Sequence, residues 1–246
     1  MEQVLILGVG LFAGVLLGVF GGGGAAFATP VLALVGVPGA FAVASPLPAL
    51  LPASLAGARG QLKRGNLDRR VAGLAMLGGL PGSLLGGLAS ALVSGHTLVV
   101  LSAVLLLGVG IRVVLPDPTG HADRCEGRRH RSGLIVAIAF AVGLLAGMLA
   151  NGGGFLLVPT FILLLGLSTV VASGTSMVTG AVLSIPTLLV HWSLGHIDWP
   201  VALVFAIGVF PGTYLGTVLT RRVPTERIRR AFGLLLVLFS VSFLLR

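Results

Sequence analysis

The sequence predicts an all-α integral membrane protein: a polytopic helical bundle of two inverted repeats with glycine-broken half-helices, about eight to ten membrane segments in all. Three observations carry that expectation: the scarcity of charge, the places where charge does occur, and an internal repeat. The 246-residue chain is 56% hydrophobic and 9% charged, with a mean hydropathy of +1.08, where a soluble domain carries roughly 25% charged residues. Stretches 3–58, 71–111, 132–197, 199–220 and 231–245 contain no Asp, Glu, Lys or Arg. A crossing takes about 20 apolar residues, so each of the first three stretches has room for two or more. The first is too long for a cleavable signal peptide, and no A-x-A-like site precedes a polar mature sequence.

The net charge of +9 sits almost entirely in three short loops. Arg59, Lys63, Arg64, Arg69 and Arg70 occupy the first; Arg112, Arg124, Arg128, Arg129 and Arg131 the second; Arg221, Arg222, Arg227, Arg229 and Arg230 the third. This positive-inside pattern places the loops in the cytoplasm. No basic domain remains to bind nucleic acid. Cys125 is the single cysteine, which excludes an intrachain disulfide framework and a multi-cysteine metal site.

The chain repeats itself. ATPVLALVG (28–36) lies on VPTFILLLG (158–166), matching Pro30 with Pro159; one inserted residue then sets an offset of 130. From there Gly36 falls on Gly166, Ala42 on Ala172, Ser54 on Ser184, Gly65 on Gly195, Asp68 on Asp198 and Gly86 on Gly216 without another gap. The expected organisation is a first transmembrane repeat over 1–115, a cytoplasmic linker over 116–132 and a second repeat over 133–246.

The loop at 59–70 carries five basic residues and its counterpart at 191–198 none, while SGHT (94–97) is neutral and its counterpart at 220–230 carries five. Corresponding loops therefore lie on opposite sides of the membrane, and each half needs an odd number of crossings. Five fit the first half: 3–20, 25–36, 38–58, 71–93 and 97–115. The first begins with the weakly charged MEQV, which puts both termini outside. The second has only about twelve residues, the length of a half-helix or re-entrant piece. The third carries Pro46, Pro48 and Pro52, so it should bend where its counterpart is plainer. The fourth and fifth lie in the charge-free stretch 71–111, with Arg112 at the inner end of the fifth.

Paired glycine interruptions at corresponding positions of inverted repeats point to a secondary transporter and its binding site. Here they are GGGGAAFATP (21–30) and ANGGGFLLVP (150–159). Unwound backbone at membrane depth is tolerated only where it lines a cavity or is buried in protein, and a helix restarting after it presents free N–H groups to a small anion. GVGLFA (8–13) fits a dinucleotide pattern but has no acidic residue some twenty positions on, and no GK[ST] follows GGGG. Gly10, Gly14, Gly18 and Gly22 recur every fourth residue, as do Ala139, Gly143, Gly147 and Asn151, Gly78, Gly82 and Gly86, and Gly208, Gly212 and Gly216. These small-xxx-small stripes read as helix packing.

AVASPLP (42–48) aligns with ASGTSMV (172–178), bringing Ser45 and Pro46 opposite Thr175 and Ser176. Their hydroxyls suit helix capping or donation to an anion, and the two are not exclusive. Asn151 offers an amide with two donors. Ser184 is expected to bond back to its own helix, and Asp68 and Asp198 to cap helix starts. His96, His191 and His196 fall near the outer face, where they read as interfacial residues, and His121 and His130 in the linker. Apart from Arg112 at the inner end of the fifth, no predicted crossing holds a carboxylate, lysine or arginine, which argues against a carboxylate proton relay or a buried arginine clamp. The crossings offer neither a metal cluster nor a nucleophile with its base, so no enzyme and no cofactor is expected.

GVFGGGGAAFATPVLALVGVP, the A-x-x-[ST]-x-L/M stretch, and G-x-[LI]-D followed by P-G-x-x-x-G resemble the sulfite exporter TauE/SafE family of membrane permeases. The second half repeats the set as ANGGGFLLVPTFILLLGLS, ASGTSM, GHID and PGTYLG. The resemblance implies a bacterial inner-membrane carrier of sulfite or small organosulfur anions, with the substrate region at Gly21, Gly22, Gly23, Gly24, Ser45, Asn151, Gly152, Gly153, Gly154, Thr175 and Ser176. SPL at Ser45 replaces the commoner TSL. The expected partners are a small anionic substrate, the lipid bilayer, a coupling ion left open between proton and sodium, and a second copy along an exposed glycine stripe. A carrier or channel for another anion such as a carboxylate, and a non-transporting scaffold, stand as the alternatives.

Overall fold

The computed structural model describes residues 2–20, 27–114, 132–150, 154–220, 233–235, 237–238 and 240–241. The first repeat contributes α1 (Glu2–Phe20), α2 (Ala28–Leu34), α3 (Gly39–Ala44), α4 (Leu47–Lys63), α5 (Arg69–Ala89) and α6 (Gly95–Val114). The second contributes α7 (Ser132–Met148), α8 (Gly154–Leu165), α9 (Thr169–Ser193) and α10 (Trp199–Thr220). No strand occurs among the described residues. Gly39–Lys63, Arg69–Leu92, Val170–Ser193 and Trp199–Leu219 are long and apolar enough to cross a membrane; Gln3–Val19, Gly95–Ile111 and Ser132–Met148 are shorter apolar helices.

Local chemistry explains the boundaries. The Asp68 carboxylate accepts the Val71 N–H at 2.9 Å and starts α5, and Asp198 does the same for Val201 at 3.2 Å and starts α10. The prolines act as expected: Pro46 and Pro48 bring no N–H to the helical ladder, and α3 gives way to α4 at Ser45–Pro46. Ser45 and Pro46 keep helical angles (φ −61°, ψ −26° and φ −68°, ψ −25°), so the path continues through the break. In the second repeat α9 runs its 25 residues without one.

Helix directions follow from the glycine stripes. A Cβ added to Gly10, Gly14 or Gly18 would strike the backbone oxygen of Phe205, Val209 or Thr213 in turn, so α1 and α10 touch backbone to backbone and run parallel. Gly78, Gly82 and Gly86 meet Val136, Phe140 and Leu144 in the same way, so α5 and α7 run parallel. The stripes are helix contacts, as their spacing predicts. The pairing itself crosses between halves: the opening helix of each repeat lies on the helix that begins with the capping aspartate of the other.

Gly79 lies against Leu183 and Gly87 against Val190, making α5 parallel to α9; Gly57 near the end of α4 meets Met177 near the start of α9, making those two antiparallel. The tight turns at 64–68 and 194–198 reverse the chain between α4 and α5 and between α9 and α10. Hence α1 runs with α4 and α10, α7 runs with α5 and α9, and the two sets oppose each other. The repeats are inverted. Because α1 and α4 share a direction, the segment containing α2 must carry the chain back between them, and the segment containing α8 does so between α7 and α9. At 7 and 12 residues these helices are only about 10 and 18 Å long, against a hydrocarbon core of about 30 Å. They are half-helices.

The outward faces of α5 and α10 are apolar at matching places: Leu77, Leu80, Leu84 and Leu88 on one, Ile207, Phe210, Tyr214 and Val218 on the other. Both stripes are exposed on the outside of the described bundle. Trp192 and Trp199 meet edge to face at 5.8 Å beside the turn that lacks basic residues, the position of an interfacial aromatic anchor.

Candidate functional site

Gly21–Gly24 and Asn151–Gly153 lie outside the described residues, as do Cys125, His121 and His130. What flanks the second run is described. Gly154 is the first residue of α8. Ala150, fully buried, has φ +52°, the one positive value at a non-glycine among the described residues. An alanine held in the left-handed region costs roughly 1–2 kcal/mol, so the surrounding packing enforces the exit from α7. Before it, the Gly147 carbonyl accepts from the Ala150 N–H at 3.3 Å and from His191 Nε2 at 2.9 Å.

The paired hydroxyls have symmetric roles. Ser45 Oγ accepts the Asp198 N–H at 3.0 Å, and Thr175 Oγ1 accepts the Asp68 N–H at 3.1 Å. Both hydroxyls are fully buried. Each binds the repeat it does not belong to, so A-x-x-[ST] of one half and G-x-[LI]-D of the other are two sides of one contact. Gly174 serves it, since a Cβ there would strike the Asn66 carbonyl oxygen. With one lone pair occupied by a backbone N–H, each hydroxyl keeps its hydrogen for donation. The structure does not bring Ser45 and Thr175 to one point: Ser45 sits at the turn before α10 and Thr175 at the turn before α5, at opposite ends of the bundle. Ser176 Oγ donates to the Ser173 carbonyl at 2.9 Å, and Ser184 Oγ to the Gly180 carbonyl at 2.8 Å, the back-bonding expected of mid-helix hydroxyls.

Two features escaped the sequence reading. Thr179, one turn beyond Thr175 on the same face of α9, is fully buried, and its hydroxyl has no hydrogen-bond partner among the described residues. Thr187 and Ser184 on the same helix do bond to a carbonyl four residues back. A buried orphan hydroxyl is the kind of group a polar ligand satisfies; the i, i+4 spacing from Thr175 was its available signal. The second is His191, read as interfacial, which is fully buried and in contact with His196, Nδ1 to Nδ1, at 3.2 Å. Among the described residues no group of three or more metal-ligating side chains comes together.

Apolar crossings, inverted halves and paired half-helices define a multi-pass helical membrane protein. The chain belongs to the sulfite exporter TauE/SafE family, whose model matches residues 6–243. A probable membrane transporter protein of Xylella fastidiosa is 29% identical over 248 residues, 99% of this chain and 95% of the relative. In Bacillus subtilis the probable membrane transporter protein YunE is 25% identical over 267 residues, 99% of this chain and 98% of its own. YdhB of the same organism, of the same description, is 26% identical over 239 residues, 94% of this chain and 96% of its own. Family and relatives support a membrane transporter. No solved structure matches the chain.

Proposed function

We propose that this protein is a secondary transporter of a small anion, sulfite or a small organosulfur anion, working by alternating access and without catalysis. The observation that carries the reading is the pair of half-helices, α2 and α8, each following a glycine run at the same place in oppositely directed repeats. The anion would be held by N–H groups at Gly21–Gly24 and Asn151–Gly154, with the Thr179 hydroxyl as a further donor. Ser45 and Thr175 then act as latches at the two ends of the path, and opening toward either side parts one inter-repeat hydrogen bond while keeping the other. Ser176 becomes a donor to the anion only if its hydroxyl hydrogen is released from the Ser173 carbonyl. The protein would sit in an inner membrane with both termini outside, as the loop charges direct.

Flux of labelled sulfite, thiosulfate, a small sulfonate and acetate into liposomes holding the purified protein tests the reading. Selective sulfur-anion flux that Gly153→Leu abolishes, with insertion and fold intact, is the expected result. Acetate flux alone would replace the substrate class with carboxylates. Absence of all flux would favour a scaffold.

A further inference from the structure

The contact between His191 and His196 fixes how hydrogen is shared. A carbonyl oxygen only accepts, so the His191 Nε2 facing Gly147 carries hydrogen. In the neutral ring Nδ1 is then a lone-pair acceptor, and the His196 Nδ1 at 3.2 Å must be the donor. Neutral His196 is left with a lone pair on Nε2, on a half-buried ring in the turn at 194–198. The result is a directed chain: loop, His196, His191, Gly147. It ends at the last turn of α7, whose C-terminal carbonyls favour a positive charge.

We propose that His191 and His196 bind one proton between them and carry it from the turn at 194–198 to the C-terminal end of α7, as the ion moved together with the anion. The role in co-transport rests on the transporter reading above; the proton site itself does not. A proton arriving at His196 Nε2 makes that ring an imidazolium. Its Nδ1 hydrogen passes to the His191 Nδ1 lone pair, His196 returns to neutrality in its other tautomer, and His191 becomes the cation. Its Nε2–H still donates to the Gly147 carbonyl, now as a charge-assisted bond. One proton has entered and one positive charge has moved inward, with no other bond broken.

The gain is electrostatic. The stretches 3–58, 71–111, 132–197 and 199–220 contain no lysine or arginine, so an anion at mid-membrane depth has no fixed countercharge, and a bare charge there is costly. A proton on His191 would supply that countercharge at the C-terminal carbonyls of α7, through the Gly147 carbonyl that its Nε2 faces.

The surroundings leave the pair to itself. α7 has no titratable side chain, and α5, which packs on α9 through Gly87 and Val190, has only Arg69 and Arg70 at its far end. α3 and α4 carry none before Arg59. On the turn, Asp198 is engaged in capping α10 through Val201. α10 contributes Tyr214 and α6 contributes His96, both exposed, and α6 carries Arg112 only near its other end. Burial lowers the His196 pKa below the ordinary 6.5, which keeps the ring neutral until the medium turns acid.

The equivalent turn of the first repeat supplies the control. There Asn66 Nδ2 donates to Gln61 Oε1 at 3.1 Å, in the places of His196 and His191. A neutral amide pair therefore fills the same geometry, and His191→Gln/His196→Asn should fold.

Two measurements separate the proton site from the transport reading. Nitrogen-15 imidazole spectra of the full chain in phosphatidylethanolamine and phosphatidylglycerol nanodiscs, assigned with the double variant, report tautomer and titration. Hydrogen on Nε2 of His191 and on Nδ1 of His196, with a single added proton shared on acidification, is expected. Hydrogen on Nδ1 of His191, or two rings titrating independently, would overturn the site whatever the protein carries. In liposomes, flux of a small sulfonate, whose own charge stays constant with pH, should accelerate under a proton gradient; the double variant should keep basal flux and lose the acceleration. Acceleration retained in the double variant would overturn coupling through the pair. Absence of flux in every variant would refute the sulfonate reading instead, and the spectra alone would then decide the proton site.

Discussion

The turns at 64–68 and 194–198 occupy the same place in the two repeats and share one backbone. Gly65 and Gly195 have φ +71° and +70°. Asn66 N–H closes on the Gln61 carbonyl at 3.3 Å, and His196 N–H on the His191 carbonyl at 3.0 Å. Asp68 and Asp198 each cap the next helix and give their own N–H to a hydroxyl of the other repeat. The side chains differ. An amide pair and five nearby basic residues mark one turn; an imidazole pair and two tryptophans mark the other. Duplication kept what main-chain geometry demands and let the two membrane faces diverge, so backbone substitutions should act alike in the halves and side-chain substitutions should not.

The largest effect expected is in the stripes. Gly14→Leu would drive a side chain into the Val209 backbone of α10, and Gly143→Leu into the Gly79 backbone of α5. Overpacking costs typically 1–3 kcal/mol and more where backbone must move. Both variants should lose thermal stability in detergent by similar amounts. A large loss at one site only would break the equivalence of the two helix pairs. Next come the turn glycines, which face open space. Gly65→Ala and Gly195→Ala should each cost roughly 1–2 kcal/mol from left-handed strain alone, read by the same melts.

A smaller effect, about 1 kcal/mol for a lost hydrogen bond, is expected for Ser45→Ala and for Thr175→Val. Equal stability losses with unequal effects on inward- and outward-facing accessibility, read by cysteine labelling from each side, would sharpen the latch reading. Labelling changes on the same side for both variants would refute it.

Which of these features could be read in the sequence depends on how local their causes are. The offset of 130, the inversion, the aspartate caps and the proline break each arise from a few neighbouring residues or from loop charge. The exchange of helices between halves does not: a small-residue stripe fits any other stripe, so Gly10, Gly14 and Gly18 could not name Gly208, Gly212 and Gly216 as partners. The bonds of Ser45 and Thr175 were hidden for a related reason, their acceptor roles being filled 153 and 107 residues away. The burial of His191 was hidden because a helix-end position suggests exposure, whereas α7 covers this end of α9 through the Gly147 carbonyl.

The smallest effect concerns pH, and it distinguishes the two turns most cleanly. The folded-state pKa of His196 lies below its unfolded value of 6.5 because burial disfavours the charged ring. Below about pH 6.5 the unfolded chain binds more protons than the folded one, so stability is full above that pH and falls as the medium acidifies. His196→Asn removes this contribution and should flatten the melting temperature between about pH 7 and pH 5, leaving it nearly unchanged at pH 8. Asn66→His makes the converse change at the basic turn, where Arg64, Arg69 and Arg70 lie close in sequence and disfavour a further positive charge. That variant should acquire an acid-side loss of stability absent from the wild-type turn. If His196→Asn instead steepens the fall with acid, protonation of His196 stabilises the fold, and its burial is outweighed by the favourable charge environment at the end of α7.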